Sequence, residues 1–179
     1  MRYQACQFGG ASLLIAMNEL SNHDHSRFLT RTNRMVGRTA SLGPEKANEG
    51  VSKAVMMAAV MIQMTWPGAP TIYYGDEAGL CGWTDPDSRR TYPWGKEDFE
   101  LIEFHRYMIA IHHRHPALMR GSLIFLYGAP GVIAYGRFLG KNRLAVIVNN
   151  SEEEKEIRVP LWKMGVCPND RLVRRMLTY

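Results

Sequence analysis

The sequence contains little cysteine and no long apolar run. Its three cysteines, Cys6, Cys81 and Cys167, lie far apart, and none belongs to a CxxC pair. An odd number of widely spaced cysteines is typical of free thiols in a reducing compartment rather than of a disulfide framework. The longest nearly apolar segment, residues 54–64, is interrupted by Gln63 and is too short to span a bilayer. We therefore expect a cytoplasmic protein that has no membrane partner.

The chain also lacks a concentrated basic segment. No basic stretch followed by an apolar one opens the sequence, so no signal peptide is predicted. The net charge is +5, but lysine and arginine are scattered, and the one short cluster is Arg171, Arg174 and Arg175. Such a cluster is weak support for nucleic-acid binding, and we expect no nucleic-acid partner. The 179 residues, 46% of them hydrophobic, are enough for one packed domain, or for one domain and a small second one.

Strand and helix signals alternate in the first part of the chain. The apolar run at residues 13–20 predicts a strand, and residues 69–74 predict a second, buried strand. Helices are predicted from position 48 or 49 to Gln63, and over residues 97–115, where apolar residues recur at helical spacing. Two long polar loops are predicted, at residues 30–46 and 78–96.

The pattern changes after Pro116 to four short β-type runs separated by turn residues. Short strands at this spacing favour an antiparallel sheet or half of a β-sandwich. We therefore predict a boundary near residue 118, with one domain at 1–118 and a partial all-β domain at 119–179. The four runs are residues 122–127, 132–138, 143–149 and 156–161.

Polar residues follow the carboxyl end of each predicted strand in the first part. The stretch Asn22-His23-Asp24-His25-Ser26-Arg27 follows one strand, and Asp76-Glu77 follows the other. In β/α folds, active sites collect where the parallel strands end. We therefore expect Asp24 and the 76–77 acids to lie on the same rim.

Three interpretations of the stretch around Asp24 remain open on residue types alone. His23 and His25 could converge on a metal, although the ligand spacing of known metal sites is absent. Asp24 could instead be a catalytic carboxylate that Arg27 keeps ionised, stabilising the positive charge that develops during glycoside cleavage. The third interpretation is that Asp24 merely caps a loop or a helix.

Two longer motifs resemble those of the α-amylase family of glycoside hydrolases (family thirteen). "LSNHDHSRFLT", residues 20–30, is similar to the family's fourth conserved region. "WPGAPTIYYGDEAGLCGWTDPDSRRTYPW", residues 66–94, resembles the end of the catalytic barrel, most closely in the neopullulanase, cyclomaltodextrinase and maltogenic amylase group. The resemblance implies an α/β fold: the last two strand–helix units of a (β/α)8 TIM barrel, followed by part of an antiparallel β-sandwich.

The resemblance also implies roles for individual residues. Asp24 matches the third catalytic acid of the family, which orients the sugar and distorts its ring, and His23 matches a histidine that hydrogen-bonds the sugar hydroxyls. Asp85 and Arg89 match an acid and an arginine that bind the neighbouring glucose. Their alternative role is a salt bridge that stiffens the loop.

Other side chains in the second motif have structural or alternative roles. Asp76 and Glu77 are interpreted as fixing the loop after the last strand rather than contacting sugar. Trp83 and Trp94 could each stack on a glucose ring or pack within the protein, and the sequence leaves both roles open.

The sequence lacks two groups that glycoside cleavage with retention requires. Such enzymes use a nucleophile carboxylate and a separate acid/base carboxylate, and no stretch resembles either motif. We therefore expect the chain to be the C-terminal piece of a larger α-glucan hydrolase that needs no cofactor and no metal, and to be inactive alone. The alternative is a non-catalytic truncated or carbohydrate-binding module. Because a barrel fragment leaves strand edges unpaired, we also expect self-association.

Overall fold

The computed structural model describes residues 10–173 of the chain. Helices and strands alternate in the first part of this range, and three strands follow one another in the second. In chain order the elements are α1 (Gly10–Ile15), β1 (Met17–Glu19), α2 (Phe28–Arg31), α3 (Thr39–Leu42), α4 (Lys53–Thr65), β2 (Ala69–Thr71), α5 (Phe99–Arg114), α6 (Pro116–Arg120), β3 (Ser122–Ala129), β4 (Val132–Leu139) and β5 (Asn142–Asn149). No helix within residues 10–173 is long and apolar enough to cross a membrane.

β1 and β2 lie side by side and run parallel, with Met17 opposite Ala69 and Glu19 opposite Thr71. This confirms the predicted parallel pairing of the two segments. The predicted lengths were wrong, because residues 13–15 belong to α1 and β2 ends at Thr71. A short apolar run rich in Leu and Ala fits a helix as well as a strand, so its sequence pattern alone does not separate them.

The first long loop contains more regular structure than predicted. α3 and the end of α2 fall within residues 30–46. The last turn of α3 is closed by a hydrogen bond from the Gly43 amide to the Thr39 carbonyl oxygen (2.9 Å). Helical turns of this length are too short to produce a periodic apolar pattern, which is why the sequence did not indicate them.

α4 begins directly after Ser52, whose hydroxyl accepts a hydrogen bond from the Val55 amide (3.3 Å). The predicted start was too early, since the segment Glu45–Asn48 forms a separate 3-10 turn and Ser52 supplies the cap. Trp66 precedes Pro67, which disfavours helical backbone in the residue before it, and this ends the helix. The buried side chains of α4 surround much of its circumference: Met56, Met57, Val60, Gln63, Met64 and Thr65.

α5 packs against α4 and closes the main apolar core. Its first turn is capped by the Asp98 carboxylate, which accepts a hydrogen bond from the Leu101 amide (3.2 Å). Leu101, Phe104 and Met108 are buried at helical spacing, as predicted. The helix ends at Arg114, one residue before the predicted end, because Pro116 opens α6.

The second part of the chain is a three-stranded antiparallel sheet with the strand order β3-β4-β5. Three of the four predicted β-type runs are therefore confirmed. The fourth, residues 156–161, is not a strand: Pro160 has no amide proton to donate to a ladder, and the chain turns instead through a 3-10 segment, Leu161–Met164. Met164 is buried against this sheet. That the sheet is half of a sandwich remains a prediction.

Arg137 joins this sheet to the helices. Its buried guanidinium donates from Nη1 to the Thr65 carbonyl oxygen (2.6 Å) and from Nη2 to the carbonyl oxygens of Leu118 (3.0 Å) and Gly121 (3.1 Å). These acceptors lie at or beside the carboxyl ends of α4 and α6, where helix carbonyls have no partner within the helix. Burial lowers the pKa of Arg137 to about 10, against a smaller opposing effect of Tyr135. Arg137 thus connects the sheet to both α4 and α6.

Candidate active site

The loop after β1 is shaped by Asn22. Its side-chain oxygen accepts hydrogen bonds from the amides of Asp24 (3.0 Å) and His25 (3.1 Å). Asparagine commonly bends the backbone in this way, and the bend begins three residues after the strand ends. His23 and Asp24 are left with side chains 58% and 66% exposed, and His23 Nε2 lies 3.3 Å from Asp24 Oδ1. An imidazole and a carboxylate therefore face solvent together, open to a ligand.

The loop after β2 brings Asp85 and Arg89 to the same place. Their side chains form a hydrogen-bonded ion pair, and each is about half exposed. The amide of Asp85 donates to the Asp24 carbonyl oxygen at 3.5 Å, and the Ser88 hydroxyl donates to the His23 carbonyl oxygen at 2.9 Å. Two loops that are about sixty residues apart in sequence are thus joined directly.

The pKa of Arg89 agrees with the proximity of Arg89 to Asp85 and Asp24. Hydrogen bonding to Asp85 is the largest cause of a raised pKa at Arg89, and the charges of Asp85 and Asp24 add to it. The charges of Asp24 and Asp85 therefore both stabilise the Arg89 guanidinium. The exposed surface offers carboxylate oxygens as acceptors beside the N–H donors of that guanidinium. Such a combination forms directional hydrogen bonds with vicinal hydroxyl groups.

Arg27 does not pair with Asp24, which corrects the expectation for this residue. Its guanidinium is fully buried and donates to Asp76 Oδ1 (3.1 Å) and to the Tyr74 carbonyl oxygen (2.6 Å). Its Nε donates to the Ser88 carbonyl oxygen (2.9 Å). A buried cation requires acceptors around it, and the segment after β2 provides them. Arg27 therefore connects the two loops through buried hydrogen bonds.

Asp76 fixes the second loop, as interpreted from the sequence, through this buried ion pair with Arg27. Burial raises the pKa of the Asp76 carboxyl, while a hydrogen bond from Ser21 and the charge of Arg27 lower it. Glu77 lies near Tyr92, where burial is the largest cause of a raised pKa and the charge of Glu77 adds to it. Neither acid is part of the exposed group around Asp24.

The two tryptophans of the second loop have opposite environments. Trp83 is buried, and its indole N–H donates to the Gly43 carbonyl oxygen (3.0 Å), so its role is packing. Trp94 is 80% exposed. The sequence left both roles open for each residue, and burial decides the role of Trp83.

The sequence did not predict that Ser88 would join the two loops, or that two tyrosine rings would lie close to the Arg27 guanidinium. The Arg27 guanidinium lies 4.4 Å from the ring centre of Tyr73 and 4.7 Å from that of Tyr74. A lone serine in a loop carries no distinctive pattern. The Asn22 turn was detectable, because Asn after a strand commonly starts such a bend.

The described range contains no group of three or more His, Cys, Asp or Glu residues that could hold a metal ion. His112 has its Nδ1 2.7 Å from the Met64 carbonyl oxygen. Cys81 and Cys167 are free thiols, as predicted. Cys6 lies outside the described residues.

The two parallel strands are each followed by a polar loop and a helix, and charged side chains lie where the strands end. This is the arrangement found in a segment of a (β/α)8 barrel. The α-amylase catalytic domain model matches residues 11–166. The chain therefore belongs to the α-amylase family.

Individual relatives agree with this assignment. An amylopullulanase of Thermoanaerobacter thermohydrosulfuricus is 34% identical over 90% of this chain and 12% of its own length. A cyclomaltodextrinase of Thermoanaerobacter pseudethanolicus is 34% identical over 78% of this chain and 22% of its own. The solved structure of a Nostoc punctiforme debranching enzyme superposes with a TM-score of 0.75 at 29% identity, over 96% of this chain and 32% of that one. This chain thus spans less than a third of the length of the amylopullulanase and the cyclomaltodextrinase, and about a third of that of the debranching enzyme.

Proposed function

We propose that this segment supplies part of the active site of an enzyme that cleaves α-glucosidic bonds, or transfers glycosyl groups, with retention of configuration. The proposed substrates are maltooligosaccharides, cyclodextrins or pullulan, and no cofactor takes part. The single observation that supports this most is the joining of the His23–Asp24 pair and the Asp85–Arg89 pair on one exposed rim. Relatives named for pullulan and cyclodextrin substrates support the substrate class.

In this proposal Asp24 acts on the glucose whose bond is cleaved. Its ionised carboxylate stabilises positive charge as the transition state acquires oxocarbenium character. His23 lies beside it and donates a hydrogen bond to a hydroxyl of the same sugar. Asp85 and Arg89 bind the next glucose through its hydroxyls.

Asp24 cannot perform the whole reaction. Retention requires one carboxylate that attacks the sugar and a second that transfers the proton. We propose that both come from parts of the enzyme outside these 179 residues, so that this chain alone does not hydrolyse substrate.

The experiment is steady-state kinetics on a full-length enzyme that contains this segment. Asp24→Asn should lower kcat by several orders of magnitude, because the charge acts mainly in the transition state. His23→Ala should cost less, since its hydrogen bond also exists in the ground state. Circular dichroism of both variants controls for folding. An Asp24→Asn enzyme with most of its activity would refute the assignment.

The alternative is a carbohydrate-binding module without catalysis. The exposed rim alone would serve that function equally well. A full-length protein that binds maltooligosaccharides and leaves them uncleaved would favour it.

We further propose that the isolated chain is cytoplasmic and associates with itself. β1 and β2 are the two strands of one small sheet, and within residues 10–173 no third strand joins them. Ile15, Met17 and Val36 are large apolar side chains that are exposed in this part of the chain. Open strand edges next to apolar surface favour pairing with a second copy. A monodisperse monomer in light scattering that also resists heating would contradict self-association.

A further inference from the structure

Two aromatic side chains beyond Arg89 form an exposed pair with no role in the site described above. The ring centres of Tyr92 and Trp94 lie 4.5 Å apart, and their planes are inclined by 48°. Trp94 is 80% exposed. Trp83, in the same loop, is by contrast completely buried. An exposed indole beside a second aromatic ring offers an apolar surface that the apolar face of a ligand can contact.

Hydrogen bonds hold the backbone of the segment that carries Tyr92 and Trp94. The amide of Trp94 donates to the Tyr92 carbonyl oxygen (2.9 Å), and the Lys96 amide donates to the Pro93 carbonyl oxygen (2.8 Å). A platform whose backbone is fixed before binding loses little entropy when a ligand binds.

The pair is also continuous with the Asp85–Arg89 site. Trp94 is five residues after Arg89, so their Cα atoms are at most roughly 18 Å apart at full extension. Between them, the Arg90 carbonyl oxygen accepts a hydrogen bond from the Tyr74 hydroxyl (2.8 Å). The Tyr74 ring contacts the Tyr73 ring, with centres 4.8 Å apart. Tyr74 is therefore attached to the loop that carries both the ion pair and Trp94.

We propose that Tyr92 and Trp94 are a stacking platform for a glucose ring of an α-glucan, farther along the chain than the glucose at Asp85 and Arg89. This inference rests on the proposed function. A pyranose presents an apolar C–H face to an aromatic ring while its hydroxyls stay in water, which suits an exposed indole beside a polar loop. A short ligand that ends at Asp85 and Arg89 does not reach the platform, whereas a longer one does.

The test is the affinity of the 179-residue chain for maltose and for maltohexaose, measured by isothermal titration calorimetry. Trp94→Ala should weaken maltohexaose binding by roughly three- to tenfold, comparable to the loss of one aromatic contact, and leave maltose binding unchanged. Trp94→Phe should keep most of the maltohexaose affinity. Trp162→Ala is the matched control, because Trp162 is 71% exposed but lies beyond the β3-β4-β5 sheet.

The remaining outcomes separate this inference from the proposed function. Equal maltohexaose affinities of the wild type and Trp94→Ala would overturn the platform, and so would an equal loss for both sugars or no binding by the wild type. No binding by the wild type would also count against the glucose site at Asp85 and Arg89, whereas the other two outcomes leave that site intact. Asp24 is tested separately, by the kinetics of the full-length enzyme.

Discussion

The hydroxyl of Ser88 donates a hydrogen bond to the carbonyl oxygen of His23 across 2.9 Å, although the two residues are 65 positions apart. Ser88 is fully buried, and its own carbonyl oxygen accepts from Arg27 Nε. Ser88 thus contributes two of the hydrogen bonds that join the loop with Asp24 to the loop with Asp85.

Ser88→Ala should lower the free energy of unfolding by about 1 kcal/mol, the usual net effect of losing one intramolecular hydrogen bond. Urea denaturation followed by circular dichroism measures this change. Ser122→Ala is the control, because Ser122 is exposed at the start of β3, and its effect should stay within about 0.5 kcal/mol. Equal stability of the two variants would show that the contact between the loops contributes nothing.

Arg27→Met should destabilise the fold far more, by about 3–5 kcal/mol, because it leaves the buried Asp76 carboxylate without its cation. The measurement is again the urea midpoint. Arg106→Met is the matched control. Arg106 pairs with Glu103 on the surface of α5, and both side chains are well exposed, so its loss should cost less than about 1 kcal/mol. Similar losses for the two variants would contradict the role assigned to Arg27.

His105 should make the stability depend on pH. Burial is the largest cause of its lowered pKa, opposed by a hydrogen bond with the Leu101 carbonyl oxygen. The folded state thus binds this proton less readily than the unfolded state does. Stability is complete above the ordinary histidine pKa near 6.5, and it falls as the pH drops from there through the folded-state value.

The comparison is the free energy of unfolding at several pH values below neutrality for the wild type and His105→Gln. The variant should lose less stability on acidification than the wild type. His113→Gln removes an exposed histidine from the same helix and should retain the loss seen in the wild type. Parallel pH curves for the wild type and His105→Gln would rule out this source of the pH dependence.

The isolated 179-residue chain should show no hydrolysis of maltotriose or cyclodextrin above a buffer blank. Asp24 can stabilise a transition state, but it cannot both attack the sugar and transfer the proton. Product formation measured by chromatography over long incubation tests this expectation. Activity that survives repeated purification and disappears in Asp24→Asn would prove that the chain is catalytically complete.

Much of the local structure was predictable from the sequence. The helix over α5 follows from apolar residues at helical spacing and from Asp98 at its start. Three of the four β-type runs became strands, and the parallel neighbours β1 and β2 were expected from the order of elements. The fourth run did not become a strand because Pro160 cannot donate to a ladder and no neighbouring strand pairs with the segment.

The tertiary structure alone decided which polar groups meet. The sequence placed Arg27 three residues from Asp24, yet the guanidinium pairs with Asp76, which is 49 positions away. Trp83 and Trp94 share one loop and one residue type, but only the first is enclosed. Hydrophobic periodicity depends on which side of a segment faces the core, and it therefore predicted the helices and strands. Pairing between charges and the burial of single side chains depend on distances across the folded chain, and only packing sets those distances.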